Sequence, residues 1–330
     1  MKPLHRVAGA LIPRTGAINK ALATPTSRTT PRGLLQLIQR RGSLSEALRG
    51  RVVMITGASS GIGEATALAV GRAGGTVLLV ARSADKLVAI AEAITAAGGI
   101  AAAYPCDLAD PDAVDRLVAQ VLDEHGRVDI LVNNAGRSIR RSLALSYGRI
   151  HDFERTMQLN YFAPLRLMLG LLPQMRANRF GQVINVSSAG VQTRAPRFGA
   201  YIASKAALDT VSDAFQAETL DEGVRFTTVH MSLVRTPMIA PTKLYDKFPA
   251  LTPQEAAQVI TRAMIERPRR VSPVFGRVAS FADSLSPELM DAVRNRGFKM
   301  FGDSGAAKSE PAELTGSQTV FIDATPGVHW

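Results

Sequence analysis

The chain has 330 residues, 46% of them hydrophobic and 20% charged, with 27 glycines. This is the composition of a folded globular protein with ample material for a core, and it excludes a disordered or fibrous chain. The formal charge of +11 has the sign of a nucleic-acid binder, but nine of the 39 basic residues and only one of the 28 acidic ones lie in the first 50 positions. The basicity belongs to a leader and the body is close to neutral, so no nucleic-acid partner is expected.

Residues 1–50 form a basic N-terminal extension, punctuated by Pro and Thr and expected to be mobile up to about Arg32. Its apolar stretch from Val7 to Ile12 is too short for a secretory core. Leu34, Leu35, Leu37 and Ile38 stand beside Arg40 and Arg41 in a short helical pattern. Such a helix either lies on a membrane surface or packs on the domain, and the pattern leaves both open. No run of ~18 apolar residues exists, so no membrane-spanning helix is expected. The only cysteine, Cys106, excludes an intrachain disulfide and fits a reducing cytoplasm. The five histidines lack metal-ligand spacing, and no metal is expected.

From residue 51 onward, strand-like runs alternate with helical periods. The runs are Val52–Ile55, Val77–Val80, Ile130–Val132, Val183–Val186 and Arg225–Met231, and the helices include Glu64–Arg72 and Lys86–Ala96. Alternation of this kind builds a parallel sheet covered by helices on both faces. Residues 51–302 are expected to form one domain, with 241–302 as a helical cap over the substrate, and 303–330 to form a polar tail. No internal repeat is visible.

The first strand runs into Thr56-Gly57-Ala58-Ser59-Ser60-Gly61-Ile62-Gly63, and a helix follows. Glycines at this turn let a pyrophosphate approach the backbone and rest on amide hydrogens at the helix N-terminus. Gly57, Ser59, Ser60, Gly61, Ile62 and Gly63 are therefore expected to cradle a dinucleotide on a Rossmann-type, doubly wound α/β sheet. The second strand ends in Ala81-Arg82 with no acid to bind a ribose 2′-hydroxyl. An arginine there accommodates a 2′-phosphate, so the cofactor is expected to be NADP(H). Asp107, with Leu108 beside it, follows the third strand and is placed to bind the adenine. Asn133-Asn134-Ala135-Gly136 follows the fourth, and Asn134, Ala135 and Gly136 are expected to supply side-chain amide and close backbone approach.

Tyr201 and Lys205 stand at i and i+4 on one helix face. A lysine ammonium there favours ionisation of the phenol, which suits Tyr201 for general acid–base work near neutral pH. Ser188 ends the fifth strand, with Ser187 as its structural neighbour. The glycine turn, the Asn-Asn-Ala-Gly stretch and the Tyr-x-x-x-Lys pair, in this order, resemble the short-chain dehydrogenase/reductase family over about residues 51–240. The resemblance implies a catalytic set of Asn160, Ser188, Tyr201 and Lys205. Ser188 would orient the substrate oxygen that Tyr201 protonates, Lys205 would bind the nicotinamide ribose, and Asn160 would hold a relay water. It also implies a homo-oligomer, with the helices around Asn160–Gln174 and Tyr201–Glu218 paired between subunits. Where the family carries Pro-Gly after the sixth strand and Thr four residues beyond the Gly, this chain has Met231-Ser232-Leu233-Val234-Arg235-Thr236. Val234 and Thr236 are still positioned to hold the nicotinamide carboxamide.

Longer stretches narrow the resemblance. Arg137-Ser138-Ile139-Arg140-Arg141-Ser142, the run from His151 to Tyr161, Ala195-Pro196-Arg197-Phe198-Gly199-Ala200-Tyr201 and the run from Thr236 to Lys243 are similar to bacterial short-chain-type fatty acyl-coenzyme A reductases. This implies NADPH-dependent reduction of a long-chain acyl thioester, or of a fatty aldehyde, by a cytoplasmic enzyme in contact at most with the membrane surface. Arg137, Arg140, Arg141, Arg194 and Arg197 are expected at the substrate mouth, where coenzyme A phosphates would be recognised. A reductase of a 3-oxoacyl or steroid ketone is the alternative. A cofactor-binding sensor without turnover is disfavoured, because all four catalytic positions are filled.

Overall fold

The computed structural model describes residues 16–27, 42–240, 245, 248–303 and 307. Its centre is a seven-stranded sheet in the order β3-β2-β1-β4-β5-β6-β7, with every neighbouring pair parallel. The strands are β1 (Val52–Thr56), β2 (Thr76–Ala81), β3 (Ile100–Pro105), β4 (Ile130–Asn133), β5 (Gly181–Ser188), β6 (Val224–Met231) and β7 (Arg270–Val271). The chain winds outward from β1 to β3, then crosses back to β4 and winds the other way. That reversal between β1 and β4 opens a crevice at the carboxyl ends of the strands, where ligands of such sheets bind.

The strands are nearly continuous apolar runs because both faces are covered. Alternate residues point to opposite faces, so Val53 and Ile55 join one core while Met54 joins the other. The first core takes α3 (Gly61–Arg72) and α4 (Ala84–Ala96) through Ala67, Val70, Leu87 and Ile90. The second takes α5 (Pro111–His125), α7 (Ala163–Ala177) and α9 (Gly199–Thr219) through Leu117, Leu167, Leu171 and Leu208. Between β4 and α7 lies α6 (Ile150–Met157), and α8 (Ala189–Thr193) links β5 to α9.

Two features at the ends of the chain were not foreseen from the sequence. Residues 16–27 are not a loose leader: α1 (Gly16–Ala23) is followed by Thr26, which pairs with Ser272 beyond β7. Ser27 donates from a buried position to Glu266 at 2.7 Å. The segment adds to the sheet edge because β7 is only two residues long and leaves backbone groups to be paired. After it, α2 (Leu44–Leu48) begins with a Ser43–Glu46 capping box. The proposed helix around Leu34–Ile38 lies outside the described residues.

Within 241–302, α10 (Pro253–Glu266) is no cap. Ala256, Ile260, Ala263 and Met264 bury it in the first core, so it is a layer helix of the sheet. Only α11 (Val274–Leu285) and α12 (Pro287–Met300) stand outside the two cores, exposing Val278, Phe281, Leu285, Leu289 and Val293. Among the described residues no helix is long and apolar enough to cross a membrane.

Candidate active site

The glycine turn has the shape a pyrophosphate needs. Gly57 adopts φ +66°, and a Cβ there would stand 2.9 Å from Ala135 Cα. A Cβ on Gly63 would stand 2.1 Å from the Gly57 carbonyl oxygen, so neither position tolerates a side chain. Ser59, Ser60 and Ile62 stay partly exposed around the N-terminus of α3. The Ser60 side chain caps no amide there, which leaves the first-turn N–H groups for an anion.

Thr56 ties this turn to the loop after β4. Its Oγ1 accepts from the backbone N–H of Asn134 and of Ala135, both at 3.0 Å. The Asn134 amide, expected to face the cofactor, donates instead to the carbonyls of Thr56 at 3.0 Å and Gly57 at 3.3 Å. Asn133 is likewise spent on Asn185 at 2.8 Å. These amides build the loop, because a buried carbonyl needs a donor; what remains for a ligand is the Ala135 carbonyl and the backbone of Gly136.

Arg82 follows β2, exposed and without an ion pair among the described residues. Asp107 is exposed after β3, its Oδ1 accepting from Ala109 N–H at 3.0 Å, while Leu108 is buried beside it. Thr236 lies against the glycine turn: its Cγ2 is 3.0 Å from where a Gly61 Cβ would stand. Val234 is buried and bridges Leu251. The altered turn before them is well held. Leu251 N–H donates to the Leu233 carbonyl and Arg235 N–H to the Leu251 carbonyl, each at 2.9 Å, and the Ser232 hydroxyl donates to the Ala23 carbonyl of α1.

The four proposed catalytic side chains converge at the carboxyl ends of β4 and β5. Ser188 ends β5, its Oγ accepting from Gly190 N–H at 3.0 Å, and it stands near enough to the Tyr201 phenol to favour its ionised form. Ser187, on the other face of the strand, is 2% exposed and its hydroxyl has no partner in the described structure; it does not meet Tyr201. Lys205 Nζ donates to the Val186 carbonyl at 2.8 Å. Asn160 sits in a π-turn, Gln158–Phe162, a local widening that often marks functional positions in helices. A Cβ on Gly136 would lie 3.1 Å from Asn160 Oδ1 and 3.5 Å from Lys205 Nζ. Gly136 therefore leaves the space in which these two groups face the cofactor loop.

The electrostatics differ from the expected pattern. The phenol of Tyr201 was expected to be drawn toward neutrality. Burial instead pushes it above its ordinary pKa, opposed by the hydrogen bond with Ser188 and reinforced by Asp209. Burial also pushes Lys205 down to about 8, against the pull of Asp209. Desolvation penalises both charged forms.

The arginines expected to recognise coenzyme A are largely committed elsewhere. Arg140 donates to the Gly302 carbonyl at 2.7 Å and Arg141 to the Ala307 carbonyl at 2.6 Å. Arg141 also pairs with Asp152 at 3.2 Å, Arg194 with Asp283 at 2.6 Å and Arg197 with Asp303 at 3.2 Å. Arg194 and Arg197 both hold positive φ, 52° and 74°, a costly conformation for a non-glycine residue that these ion pairs help retain. Of the five, Arg137 alone has no such bond among the described residues. Sequence reasoning also missed the beginning of the tail as an anchor for this loop, and the buried pair of Asp209 and His230, joined at 3.0 Å, one turn beyond Lys205.

The family model for short chain dehydrogenases matches residues 51–245. An oxidoreductase of Mycobacterium tuberculosis, described as uncharacterized, is 57% identical over 327 residues, covering 95% of this chain and 96% of its own. A fatty acyl-CoA reductase of Acinetobacter baylyi is 48% identical over 285 residues, covering 86% and 97%. Among solved structures, a metagenomic short-chain oxidoreductase in complex with NADP is 33% identical, with a TM-score of 0.58 over 66% of this chain and 92% of that one. The parallel seven-stranded sheet with its flanking helices agrees with this match, and the chain belongs to the short chain dehydrogenase family.

Proposed function

We propose that this protein is an NADP(H)-dependent reductase that converts a long-chain fatty acyl-CoA thioester to the aldehyde by direct hydride transfer. The observation that carries the chemistry is the placement of Tyr201 and Lys205 one turn apart on α9, beside Ser188 at the end of β5. The thioester reading is supported by the similarity to a fatty acyl-CoA reductase at 48% identity.

When bound, the cofactor supplies the hydride. The residues supply everything else. Ser188 and Tyr201 hydrogen-bond the substrate oxygen where negative charge develops, which is the largest contribution such a site makes. Tyr201 then passes its proton to that oxygen, giving a neutral hemithioacetal. As the carbon–sulfur bond breaks, the hemithioacetal hydroxyl returns its proton to the Tyr201 phenolate. The thiolate, whose conjugate thiol has a pKa of ~8.5, leaves and takes a proton from water. The balance is one hydride and one proton per thioester.

A cysteine acyl-enzyme is not part of this reading. Cys106 follows β3 at the sheet edge, four strands from Ser188 in the sheet order, or roughly 20 Å at ordinary strand spacing. Its thiol is buried and pushed up in pKa by that burial, the opposite of what a nucleophile needs.

The reading includes a cytoplasmic homo-oligomer pairing through α7 and α9, supported by exposed Leu169 on α7 and Phe162 just before it. It also includes peripheral contact with anionic membrane through the basic extension. Incubation with NADPH and a panel of acyl-CoA esters, aldehydes and ketones tests it: aldehyde and free thiol are expected from the long-chain esters. Turnover of ketones alone would replace the thioester reading with a lipid-ketone reductase.

A further inference from the structure

Asp209 stands one turn after Lys205 on the same face of α9. Both are interior, at 9% and 3% exposure, and a buried ammonium is costly without a counter-charge. The one hydrogen bond on Lys205 Nζ goes to a neutral acceptor, the Val186 carbonyl. Asp209 is itself held from the far side. Its Oδ2 lies 3.0 Å from His230 Nε2 on β6, His230 Nδ1 lies 2.8 Å from Ser272 Oγ, and Gln192 Nε2 donates to that Oγ at 3.3 Å. The donors run one way: the Gln192 amide to Ser272, the Ser272 hydroxyl to Nδ1, and Nε2–H to the carboxylate. This chain assigns the His230 tautomer and keeps Asp209 an acceptor. The other carboxylate oxygen, Asp209 Oδ1, is buried and has no hydrogen-bond partner, which is costly unless its charge serves a neighbour.

We propose that Asp209, fixed by His230, is the buried counter-charge that keeps the Lys205 ammonium protonated in the active site and so sets the alkaline limit of catalysis. This makes Asp209 a positioning residue that acts through Lys205, and it rests on the reading of Lys205 and Tyr201 as the catalytic pair. The other groups around it are few. On α9 there is Tyr201. From β6 comes His230, and ahead of β7 comes Arg269, held low by burial but raised by Asp209. Asp213 on α9 is taken by Arg269 and Arg270. From α6 comes Asp152, already ringed by Arg141, Arg149 and Arg155. The π-turn and α8 contribute uncharged Asn160 and Gln192. Asp209 is thus the anion whose loss Lys205 must register: without it, the lysine titrates lower. The same loss eases ionisation of Tyr201, which Asp209 now opposes. Both changes move the alkaline limb of reduction toward acid.

The test compares wild type with Asp209→Asn and Asp209→Glu. The ε-carbon of Lys205 is followed by NMR through a pH titration, assigned with Lys205→Met, on protein without substrate. The pH dependence of kcat/KM is measured in parallel. In Asp209→Asn the Lys205 titration and the alkaline limb are both expected to fall by about one pH unit or more, while Asp209→Glu keeps the limb near its wild-type place. If Asn is not tolerated, Asp209→Ser, also neutral, is read the same way. A neutral variant that loses rate equally at every pH, with the Lys205 titration unmoved, would overturn the proposal and leave Asp209 a structural partner of His230. Normal turnover by Lys205→Met would instead sink the catalytic reading, whatever the titration of Lys205 shows.

Discussion

Asn160 grips the backbone of Arg137 from both sides: its Oδ1 accepts the Arg137 N–H at 2.8 Å, and its Nδ2 donates to the Arg137 carbonyl at 2.8 Å. The same Nδ2 reaches Ser204 Oγ on α9 at 3.0 Å. One side chain therefore joins the cofactor loop after β4, the π-turn and the helix that carries Tyr201. Asn160→Ala leaves two part-buried backbone groups without their partner, at up to about 1 kcal/mol each, and is expected to lower the melting temperature by a few degrees and to reduce turnover. Asn160→Asp keeps the acceptor but sets a carboxylate against the Arg137 carbonyl, so it should not rescue. Thermal unfolding and steady-state kinetics on both variants check this. Full stability in Asn160→Ala would remove the residue from its joining role.

Tyr201→Phe removes only the phenolic hydroxyl. Turnover is expected to fall by roughly 10²–10⁴ with NADPH affinity nearly intact, because the cofactor cradle of Gly57–Gly63 and the loop of Ala135–Gly136 are untouched. Titration of NADPH beside stopped-flow kinetics separates the two. A variant with near-normal turnover would take the proton donor away from Tyr201.

Arg82→Asp should weaken NADPH by ~1.5–3 kcal/mol or more and NADH far less, since a charge-assisted contact with a phosphate is lost and a repulsion added. Arg137 belongs to the same region: its guanidinium is pulled down in pKa by burial first, then by Arg155 and Arg82, with Asp107 opposing. A half-desolvated cation beside other cations is suited to an anionic ligand. Arg137→Ala is expected to raise the Kd for NADPH by about tenfold, a loss of ~1.4 kcal/mol, with the acyl-CoA KM little changed. Equal losses for NADPH and NADH on changing Arg82, or a loss confined to acyl-CoA on changing Arg137, would redraw the cofactor site.

What was legible in the sequence is what depends on local pattern. The continuous apolar runs mark β1, β2, β4, β5 and β6 because both sheet faces are buried, and the glycine turn is legible because its geometry tolerates no side chain at Gly57 or Gly63. Tyr201 and Lys205 are legible because a helix puts i and i+4 together. The rest lies in contacts distant in sequence. Ser27 reaches Glu266 and Arg141 reaches Ala307, and no local pattern in a basic leader or a polar tail announces either. Asp209 and His230 were overlooked for the same reason: each looks ordinary within its own element, and they meet only because α9 packs on β6. Asn134 shows the same limit from the other side: its amide donates to the carbonyls of Thr56 and Gly57, contacts between segments distant in sequence.

The docked N-terminal segment separates two truncations. A chain beginning at residue 16 keeps the contacts described above for Thr26, Ser27 and Ala23, and should fold and turn over normally. A chain beginning at residue 28 loses the buried Ser27–Glu266 bond, the two backbone bonds between Thr26 and Ser272 at 3.0 and 3.2 Å, and the Ala23 acceptor for Ser232. It is expected to be less stable by ~2–4 kcal/mol and to bind NADPH more weakly, because the Ser232–Thr236 loop loses its support. Sedimentation with anionic vesicles checks the membrane proposal on the same proteins. Loss of Lys2, Arg6 and Arg14 removes roughly 1 kcal/mol of attraction each, so the chain from residue 16 should sediment less than the full chain. Equal sedimentation would end the membrane proposal, and equal melting temperatures for both truncations would undo the structural role of residues 16–27.

The remaining arginines bear on how a thioester is told from an aldehyde. Were Arg140 and Arg141 coenzyme A ligands, changing both to Ala would raise KM for an acyl-CoA and spare the aldehyde of equal chain length. The structure predicts otherwise. Arg140 and Arg141 hold the carbonyls of Gly302 and Ala307, and Arg141 helps neutralise the buried Asp152, whose carboxyl stays below its ordinary pKa although burial alone would raise it. The double substitution should release Gly302 and Ala307 and the loop that they anchor, and with them Asp303, which accepts from Ser142 N–H at 3.0 Å and pairs with Arg197. Both substrates approach through the same loop, so kcat/KM is expected to fall by a similar factor for each, with a lower melting temperature. Because Asp152 is depressed, its stabilising contribution is present above the ordinary carboxylate pKa and lost as pH falls through the folded value. With Arg141 gone, the folded value rises and acid unfolding should begin at a higher pH. Paired kinetics on a long-chain acyl-CoA and the matching aldehyde, with an acid melt, decide the matter: a loss confined to the thioester at unchanged stability would return these arginines to coenzyme A.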